Sequence, residues 1–218
     1  QSSRPGSDEI SEDKELSKII PALIEIRKHC PNVLISIDTY RAKVAEESIN
    51  NGADIINDIS SGDLDKNMFS VIAKYKVPYI IMHMLGTPKN MQENPTYNNV
   101  VEDIINYFQG KIETLHDCGI DNLIIDPGFG FGKTLEHNYE ILNNLEKFKC
   151  LKYPILVGVS RKSMIYKLLD TDANQALNGT SVINTIALTK GTDILRVHDV
   201  KEAVECIKIV NFAKTLYK

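Results

Sequence analysis

The sequence predicts an α/β protein in which short parallel strands alternate with longer helices. Six short runs rich in β-branched residues recur along the chain, as is typical of buried strands. Segments with helical periodicity separate these runs. Such an alternation favours a parallel sheet with crossover helices, arranged either as an open doubly wound sheet or as a (β/α)8 barrel.

The elements follow one another in a regular order. A helix is predicted over 15–30, and Pro21 should kink this helix rather than split it. The amphipathic helix predicted over 39–52 can be capped by Thr39 and ended by Gly52. The six predicted strands are 33–38, 54–59, 78–82, 122–126, 154–159 and 192–197.

Polar residues stand at the end of every predicted strand. They are Asp38, Asn57, Asp58, His83, Asp126, Ser160, Arg161, Lys162, Arg196 and His198. An open sheet gathers ligand groups at one switch point, whereas a barrel gathers them from nearly every strand at its carboxyl-terminal mouth. The pattern therefore favours the barrel. Six βα units are two fewer than a closed barrel contains, so we expect one domain over 1–218 that lacks its first two strands.

Composition excludes several classes of function. The 218 residues are 43% hydrophobic and 25% charged with a net charge of −4, which is typical of a globular protein without a nucleic-acid or membrane-surface partner. No apolar run approaches the roughly 20 residues of a membrane span. The four cysteines form no C-x-x-C pair, so we expect free thiols and a cytoplasmic location.

The segment IIDPGFGFGKT resembles a nucleotide-binding loop but matches neither common template. A Walker A motif needs glycine at Pro127, and a dinucleotide fingerprint needs glycine at Lys133. What remains is the carboxylate of Asp126 at a strand end, followed by a glycine-rich loop whose backbone can approach a ligand closely. Asp126 could instead cap the next helix.

Two basic motifs follow the last two strands. In VGVSRKSM, Arg161 and Lys162 are either solvated charges or groups that bind an oxygen-rich ligand. In RVHDV, alternation places Arg196 and His198 on the same face. These two residues, with Arg4 from the opening loop, predict an anion site beside the helix that starts near Asp199.

The predicted ligand carries a polar ring as well as an anion. Asp38, Asn57 and Asp126 suit a flat heterocycle with several N–H groups, because a carboxylate can accept two parallel hydrogen bonds. His83, between two methionines and without metal-ligand spacing, is interpreted as a structural residue.

Seven motifs carry a resemblance to a known family. SSRPG, SIDTY, INDIS, MHMLGTP, DPGFGFGKT, GVSRKSM and RVHDV occur in this order, and together they resemble the dihydropteroate synthase family. The resemblance implies a (β/α)8 barrel that joins 6-hydroxymethyl-7,8-dihydropterin diphosphate to p-aminobenzoate and releases diphosphate. Enzymes of this family act in folate biosynthesis and are targets of sulfonamide drugs.

The resemblance also implies roles for individual residues. The pterin-binding set would be Asp38, Asn57, Ile59, Met82, Asp126, Leu156, Gly158, Lys162 and Arg196. Arg4, Arg196 and His198 would bind the diphosphate, and these three with Lys162 would be catalytic. The aminobenzoate pocket would be formed by Ser3, Phe131, Lys162 and Ser163, with Ser3 standing where the family commonly has threonine.

The resemblance further implies a Mg²⁺ cofactor and a homodimer formed through the late helices. The asparagine that helps bind Mg²⁺ in the family would precede this chain, so no metal ligand is expected within it. We therefore expect the 218 residues alone to show almost no condensation activity. Two alternatives are a pterin-binding methyltransferase domain, which has no diphosphate to bind, and a catalytically silent pterin-binding fragment.

Overall fold

Six strands and eight α-helices alternate in the part of the chain that the computed structural model describes, residues 10–87, 91 and 94–216. The strands are β1 Ser36–Asp38, β2 Ile55–Asp58, β3 Tyr79–Met82, β4 Leu123–Asp126, β5 Leu156–Val157 and β6 Ile194–Leu195. The helices are α1 Glu12–His29, α2 Ala42–Asn50, α3 Met68–Tyr75, α4 Val100–Asp117, α5 Leu135–Asn143, α6 Ser163–Tyr166, α7 Leu177–Thr189 and α8 Val200–Thr215. A 3₁₀ helix covers Leu145–Leu151. The predictions for Ser3 and Arg4 lie outside the described residues.

The strands form two parallel sheets. One sheet has the order β1-β2-β3-β4, and the other pairs β5 with β6. Each of the six predicted strands is confirmed, although every one is shorter than the sequence suggested. The alternation of strand and helix is confirmed as well, which is the arrangement that parallel pairing requires.

The chain divides into two compact units, Gln1–Asn90 with Tyr107–Ile125 and Met91–Asn106 with Asp126–Lys218. In the first unit, α1 continues through Pro21, as the sequence predicted. The buried carboxylate of Glu15 on this helix accepts a hydrogen bond from Thr39 Oγ1 at 2.9 Å and forms an ion pair with Arg41. These contacts attach α1 to the loop that follows β1.

The predicted cap of α2 is wrong. Arg41 holds the cap position and makes no side-chain capping hydrogen bond, while the Ala42 N–H donates to Asp65 Oδ2 at 2.7 Å. The Thr39 hydroxyl donates to Glu15 and accepts the Arg41 N–H at 3.2 Å, but Thr39 does not occupy the cap position of the helix. The other end follows the prediction, since Gly52 has a φ of 102° just after the helix, a conformation that glycine adopts at little cost.

The second unit contains β5, β6 and the last four α-helices. Helix α7 packs against α8, and a small apolar cluster forms there from Leu188, Cys206 and Val210. Such burial of apolar surface is the main stabilising contribution to a helix pair. None of the helices in the described part of the chain is long and apolar enough to cross a membrane.

Candidate active site

A cavity of about 200 Å³ lies at the carboxyl end of β5 and β6 in the second unit. Its lining residues are Gly158, Ser160, Lys162, Arg196, Val197 and His198. The short pairing of the two strands explains this grouping, because Val157 lies opposite Leu195 and the residues that follow leave the sheet side by side. The predicted convergence of Arg196 and His198 is therefore confirmed by their shared cavity.

Gly158 lies beside the side chain of Arg196, at a separation that would give ordinary van der Waals contact with an added Cβ. A Cβ atom added at Gly158 would lie 3.7 Å from the Cβ of Arg196 and 3.9 Å from its Cδ. The Arg196 N–H donates to the Val157 carbonyl at 2.9 Å, which fixes the backbone from which this side chain leaves. Arg196 is thus an exposed residue whose backbone is bonded to the end of β5.

His198 is held by Ser160. The imidazole Nδ1 lies 2.9 Å from Ser160 Oγ, and the His198 N–H donates to the same hydroxyl at 3.2 Å. Ser160 is buried. Its single hydroxyl, shortly after β5, therefore bonds both the backbone and the ring of His198, which follows β6. This fixed ring keeps its other nitrogen available for the cavity.

The glycine-rich loop begins at the carboxylate of Asp126. The Gly128 N–H donates to Asp126 Oδ1 at 2.8 Å. Gly128, Gly130 and Gly132 have φ angles of 75°, 86° and 67°, in the left-handed region that side chains with a Cβ rarely adopt. The glycines are therefore required by the path of the backbone.

Burial raises the pKa of the Asp126 carboxyl, and the positive charges of Lys162, Arg196 and Lys133, with the Gly128 N–H, oppose this rise. The raised pKa means that the loss of hydration on burial destabilises the charged carboxylate more than the neighbouring positive charges stabilise it. Perturbed carboxyl groups of this kind are concentrated at functional sites. Asp126 begins its loop from the end of β4, as predicted, but it does not cap α5, which is capped by Thr134.

Two lysines point at the carbonyls of this loop. Lys162 Nζ donates to the Phe129 carbonyl at 2.6 Å and lies 4.9 Å from the centroid of the Phe131 ring. Lys133 Nζ donates to the carbonyls of Gly128 and Phe131 at 2.8 and 3.0 Å. Lys162 also lines the cavity, so the loop and the cavity share one ammonium group. Ser163 begins α6 and is half-buried.

Arg161 has a structural role that separates it from its neighbour Lys162. Its Nε and Nη2 donate to the two carboxylate oxygens of Asp199 at 2.9 and 3.0 Å. Its Nη1 donates to the carbonyls of Ala173 and Asn174. This arginine joins the loop after β5 to the start of α8. Because its donors are used within the protein, Lys162 is the residue of the basic pair that is a candidate for ligand binding.

The first unit carries the remaining predicted pterin-binding residues. Asp38 and Asn57 are register partners at the ends of β1 and β2, so the two side chains stand at one edge of the sheet. Ile59 and Met82 are buried. His83 is buried too, and its ring lies edge-on against Tyr107 with centroids 4.9 Å apart, which fits the structural interpretation. Leu156, in the second unit, is buried on β5.

Sequence reasoning missed two residues near the cavity. Ser160 was recognised only as a polar residue at a strand end, although it positions His198. Lys133 was noted only because it breaks a motif, although it is buried and bonded to the loop. Its position after the third glycine was a usable signal, because a lysine inside a tight loop can reach the carbonyls of that loop.

The comparisons with known proteins agree with this geometry. A family model described as a pterin binding enzyme matches residues 1–198. The dihydropteroate synthase of Haemophilus influenzae is 42% identical over 211 residues, which are 96% of this chain and 76% of that protein. The dihydropteroate synthase of Escherichia coli K12 is also 42% identical, over 96% of this chain and 74% of that protein.

Solved structures show the same relationship. The Yersinia pestis dihydropteroate synthase in a sulfonamide drug complex matches with a TM-score of 0.95 and 41% identity, over 99% of this chain and 78% of that chain. The 7,8-dihydropteroate synthase of Vibrio fischeri ES114 matches with a TM-score of 0.89 and 42% identity, over 99% of this chain and 80% of that chain.

Fold, loop and cavity together define a pterin-binding enzyme with the α/β fold of the (β/α)8 barrels that its structural relatives form. The predicted fold class is thereby confirmed. At 42% identity over three quarters of its relatives' length, the chain belongs to the dihydropteroate synthase family.

Proposed function

We propose that this chain carries the condensation of 6-hydroxymethyl-7,8-dihydropterin diphosphate with p-aminobenzoate, which gives 7,8-dihydropteroate and diphosphate. The observation that carries the proposal is the single cavity lined by Lys162, Arg196 and His198. A diphosphate needs several cationic or N–H donors within one small space. The relatives bear the name of this enzyme, which supports the same reaction.

The pterin ring is assigned to Asp126 and Lys162. A carboxylate can accept two parallel N–H bonds from the amino-pyrimidine edge of a pterin, and the ammonium group of Lys162 can donate to a ring carbonyl or nitrogen. The buried position of Asp126 strengthens such bonds, because water does not compete for them. Leu156 on β5 and Gly158 directly after it remain proposed contacts of the ring, as do Asp38, Asn57, Ile59 and Met82 of the first unit.

The diphosphate is assigned to Arg196 and His198. Arg196 presents a planar fork of N–H donors, and it covers the side of the cavity at Gly158. His198 presents the ring nitrogen that does not face Ser160. Arg4 belongs to the same proposed set but lies outside the described residues, and so does Ser3 of the proposed aminobenzoate pocket.

The proposed reaction breaks one bond and forms another at the methylene carbon of the pterin. The bond from this carbon to the diphosphate oxygen breaks, and the pterin ring shares the positive charge left on the carbon. The aminobenzoate nitrogen then forms the C–N bond and releases its proton to water. Arg196 and His198 stabilise the departing anion, which is the main electrostatic task in such a step.

Mg²⁺ remains a proposed cofactor that only the family resemblance implies. Across 10–87, 91 and 94–216, no group of three or more His, Cys, Asp or Glu is placed to hold a metal ion. Proteins commonly bind Mg²⁺ through one or two carboxylates together with substrate phosphates, and the ion keeps several of its water ligands. No step of the proposed reaction is assigned to the metal.

The homodimer and the cytoplasmic location also remain proposals. Ile209 and Phe212 on α8 and Leu216 directly after this helix are each more than two-thirds exposed, and an apolar surface of this kind favours a protein partner. The four cysteines are free thiols, which suits a reducing compartment. Light scattering of the Phe212→Lys variant beside wild type tests the dimer, because a lysine within an apolar interface should yield a monomer.

Calorimetry tests the anion site. Arg196→Met and His198→Asn should weaken the binding of the pterin diphosphate about tenfold or more, because a charge-assisted hydrogen bond is lost. The same variants should change the binding of 6-hydroxymethylpterin, which has no anion, much less. Lys190→Met removes a surface charge that pairs with Glu146 in the same unit, and as a matched control it should leave both ligands unaffected. Equal weakening of the two ligands by Arg196→Met would contradict the assignment.

A further inference from the structure

We propose that Lys133 is a positioning residue for the aminobenzoate end of the site. It holds the glycine-rich loop Gly128–Gly132 in the conformation that places the Phe131 ring. The proposal rests on the proposed function, because Phe131 is assigned there to the aminobenzoate pocket. Lys133 itself is buried under the loop and is not assigned to touch the substrate.

The first support is the pattern of hydrogen bonds within the loop. Lys133 Nζ donates to the carbonyls of Gly128 and Phe131 at 2.8 and 3.0 Å. The Phe131 N–H donates to the Gly128 carbonyl at 3.1 Å, which closes the turn between these two residues. One amine thus joins the first and the fourth residue of the loop, and it fixes the peptide that carries the Phe131 ring.

The rest of the loop is held from other elements. Lys162 Nζ donates to the Phe129 carbonyl at 2.6 Å, and the Tyr97 hydroxyl donates to the Gly132 carbonyl at 2.7 Å. The Gly130 N–H donates to Asn138 Oδ1 at 2.7 Å. Among these contacts, Lys133 is the one that bonds two loop carbonyls and the one that reaches the Phe131 carbonyl.

The two phenylalanines of the loop differ in how they are held. Phe129 is fully buried, so packing fixes its ring even if a hydrogen bond to its peptide group is lost. Phe131 is half-buried, and its ring lies beneath the Lys162 ammonium group. Loss of the bond to its carbonyl should therefore move the Phe131 ring more than the Phe129 ring.

The charge state of Lys133 agrees with a hydrogen-bonding role. Burial lowers its pKa to about 7, an effect that Lys162 adds to and the Asp126 carboxylate opposes. A neutral amine has two N–H groups, and two loop carbonyls accept from this one. The loop can thus be held in either protonation state, while the ammonium group of Lys162 lines the cavity.

Two probes separate the ends of the site. Pteroic acid contains the pterin and the aminobenzoate, whereas 6-hydroxymethylpterin contains the pterin alone. Lys133→Met keeps the volume of the side chain and removes its donors. It should raise the calorimetric Kd of pteroic acid about tenfold and change that of 6-hydroxymethylpterin less than about twofold. The reason is that the lost hydrogen bonds position the aminobenzoate end of the site and not the pterin end.

A matched control separates positioning from general weakening of the unit. Phe148→Leu removes packing from the fully buried Phe148 side chain of the 3₁₀ helix, and it should lower the stability without changing the ratio of the two Kd values. If Lys133→Met does not fold, Lys133→Gln takes its place, since a glutamine is too short to reach both carbonyls and should raise the same ratio.

Three outcomes would overturn the proposal. In the first, the variant raises both Kd values equally. In the second, it changes the ratio no more than Phe148→Leu does. In either case the wild type still binds both probes and the proposed function stands. In the third, the wild-type chain binds neither probe, which contradicts the proposed function and this proposal with it.

Discussion

Two buried aspartates end two strands of the four-stranded sheet, β2 and β4. Asp58 is the last residue of β2 and Asp126 the last residue of β4. Burial raises the pKa of both carboxyl groups. Their surroundings nevertheless differ, and the difference separates a carboxylate that holds a loop from one that is available to a ligand.

Asp58 is surrounded by neutral donors of its own unit. It accepts hydrogen bonds from the Tyr79 hydroxyl at 2.7 Å, from the N–H and hydroxyl of Ser60 at 2.8 and 2.7 Å, and from the Gly62 N–H at 2.8 Å. The two carboxylate oxygens are thereby well satisfied. The loop after β2 folds around them and tolerates a φ of 52° at Ser61.

Asp126 has a different set of neighbours. Among the described residues it accepts the Gly128 N–H, and the charges of Lys162, Arg196 and Lys133 act on it. A carboxylate that is buried among cations with few donors of its own retains acceptor capacity for a ligand. Residue type, burial and strand position are therefore the same for the two aspartates, and they differ in the number and kind of hydrogen-bond donors and charges around each carboxylate.

The largest expected effect is the loss of ligand binding in Asp126→Asn. An amide cannot accept both N–H bonds of a pterin edge and would place a donor against a donor, which costs about 1–3 kcal/mol, or roughly fivefold to 150-fold in Kd. Calorimetry with the pterin diphosphate measures the change. An unchanged Kd would contradict the assignment of Asp126 to the ring. Asp58→Asn is the matched control for ligand binding, provided that it is measured under conditions where it is folded.

The next effect is on stability and falls on the other aspartate. In Asp58→Asn, the new amide group faces one of the donors that the carboxylate accepted, so the free energy of unfolding should fall by about 1–3 kcal/mol. Urea unfolding measures this change. Asp126→Asn should lose much less, because its Oδ1 still accepts the Gly128 N–H and a buried charge is removed. Equal losses in the two variants would break the comparison.

A smaller loss is expected in Tyr79→Phe. This substitution removes one of the donors to Asp58 and leaves the buried ring in place. Removal of this single hydrogen bond should lower the free energy of unfolding by about 0.5–1.5 kcal/mol, because the other three donors to the carboxylate remain. Combining it with Asp58→Asn in a double-mutant cycle should give non-additive effects, since the two groups contact each other. Additive effects would mean that the bond contributes nothing.

The smallest expected effect is a trend with pH. Because the pKa of Asp126 is raised in the native state above its ordinary value of 3.8, the native protein binds more protons than the unfolded chain just above that pH. The stability of wild type relative to Asp126→Asn should therefore fall as pH rises from 3.8 towards 6. Urea unfolding below pH 6 avoids the titration of Lys133, whose pKa is about 7. A relative stability that rises with pH would mean that the neighbouring cations outweigh burial.

The sequence by itself determined the order of the elements and the position of the site along the chain. Hydrophobic runs and helical periodicity located all six strands, because these patterns are local and repeat with the geometry of each element. The two-residue spacing of Arg196 and His198 was enough to predict one shared face. The three glycines of the loop were recognised for the same local reason, since their backbone angles exclude most other residues.

Tertiary structure alone decided which of several similar residues line the cavity and which bond to other parts of the protein. Arg161 and Lys162 are adjacent in the sequence, yet Arg161 is bound by Asp199, 38 residues further along, while Lys162 lines the cavity. Thr39 has the residue type of a helix cap, but its hydroxyl donates to Glu15 and accepts the N–H of Arg41, which itself holds the cap position. The physical reason is that a polar side chain bonds to whatever the fold brings within about 3 Å, and residues distant in sequence supply those partners.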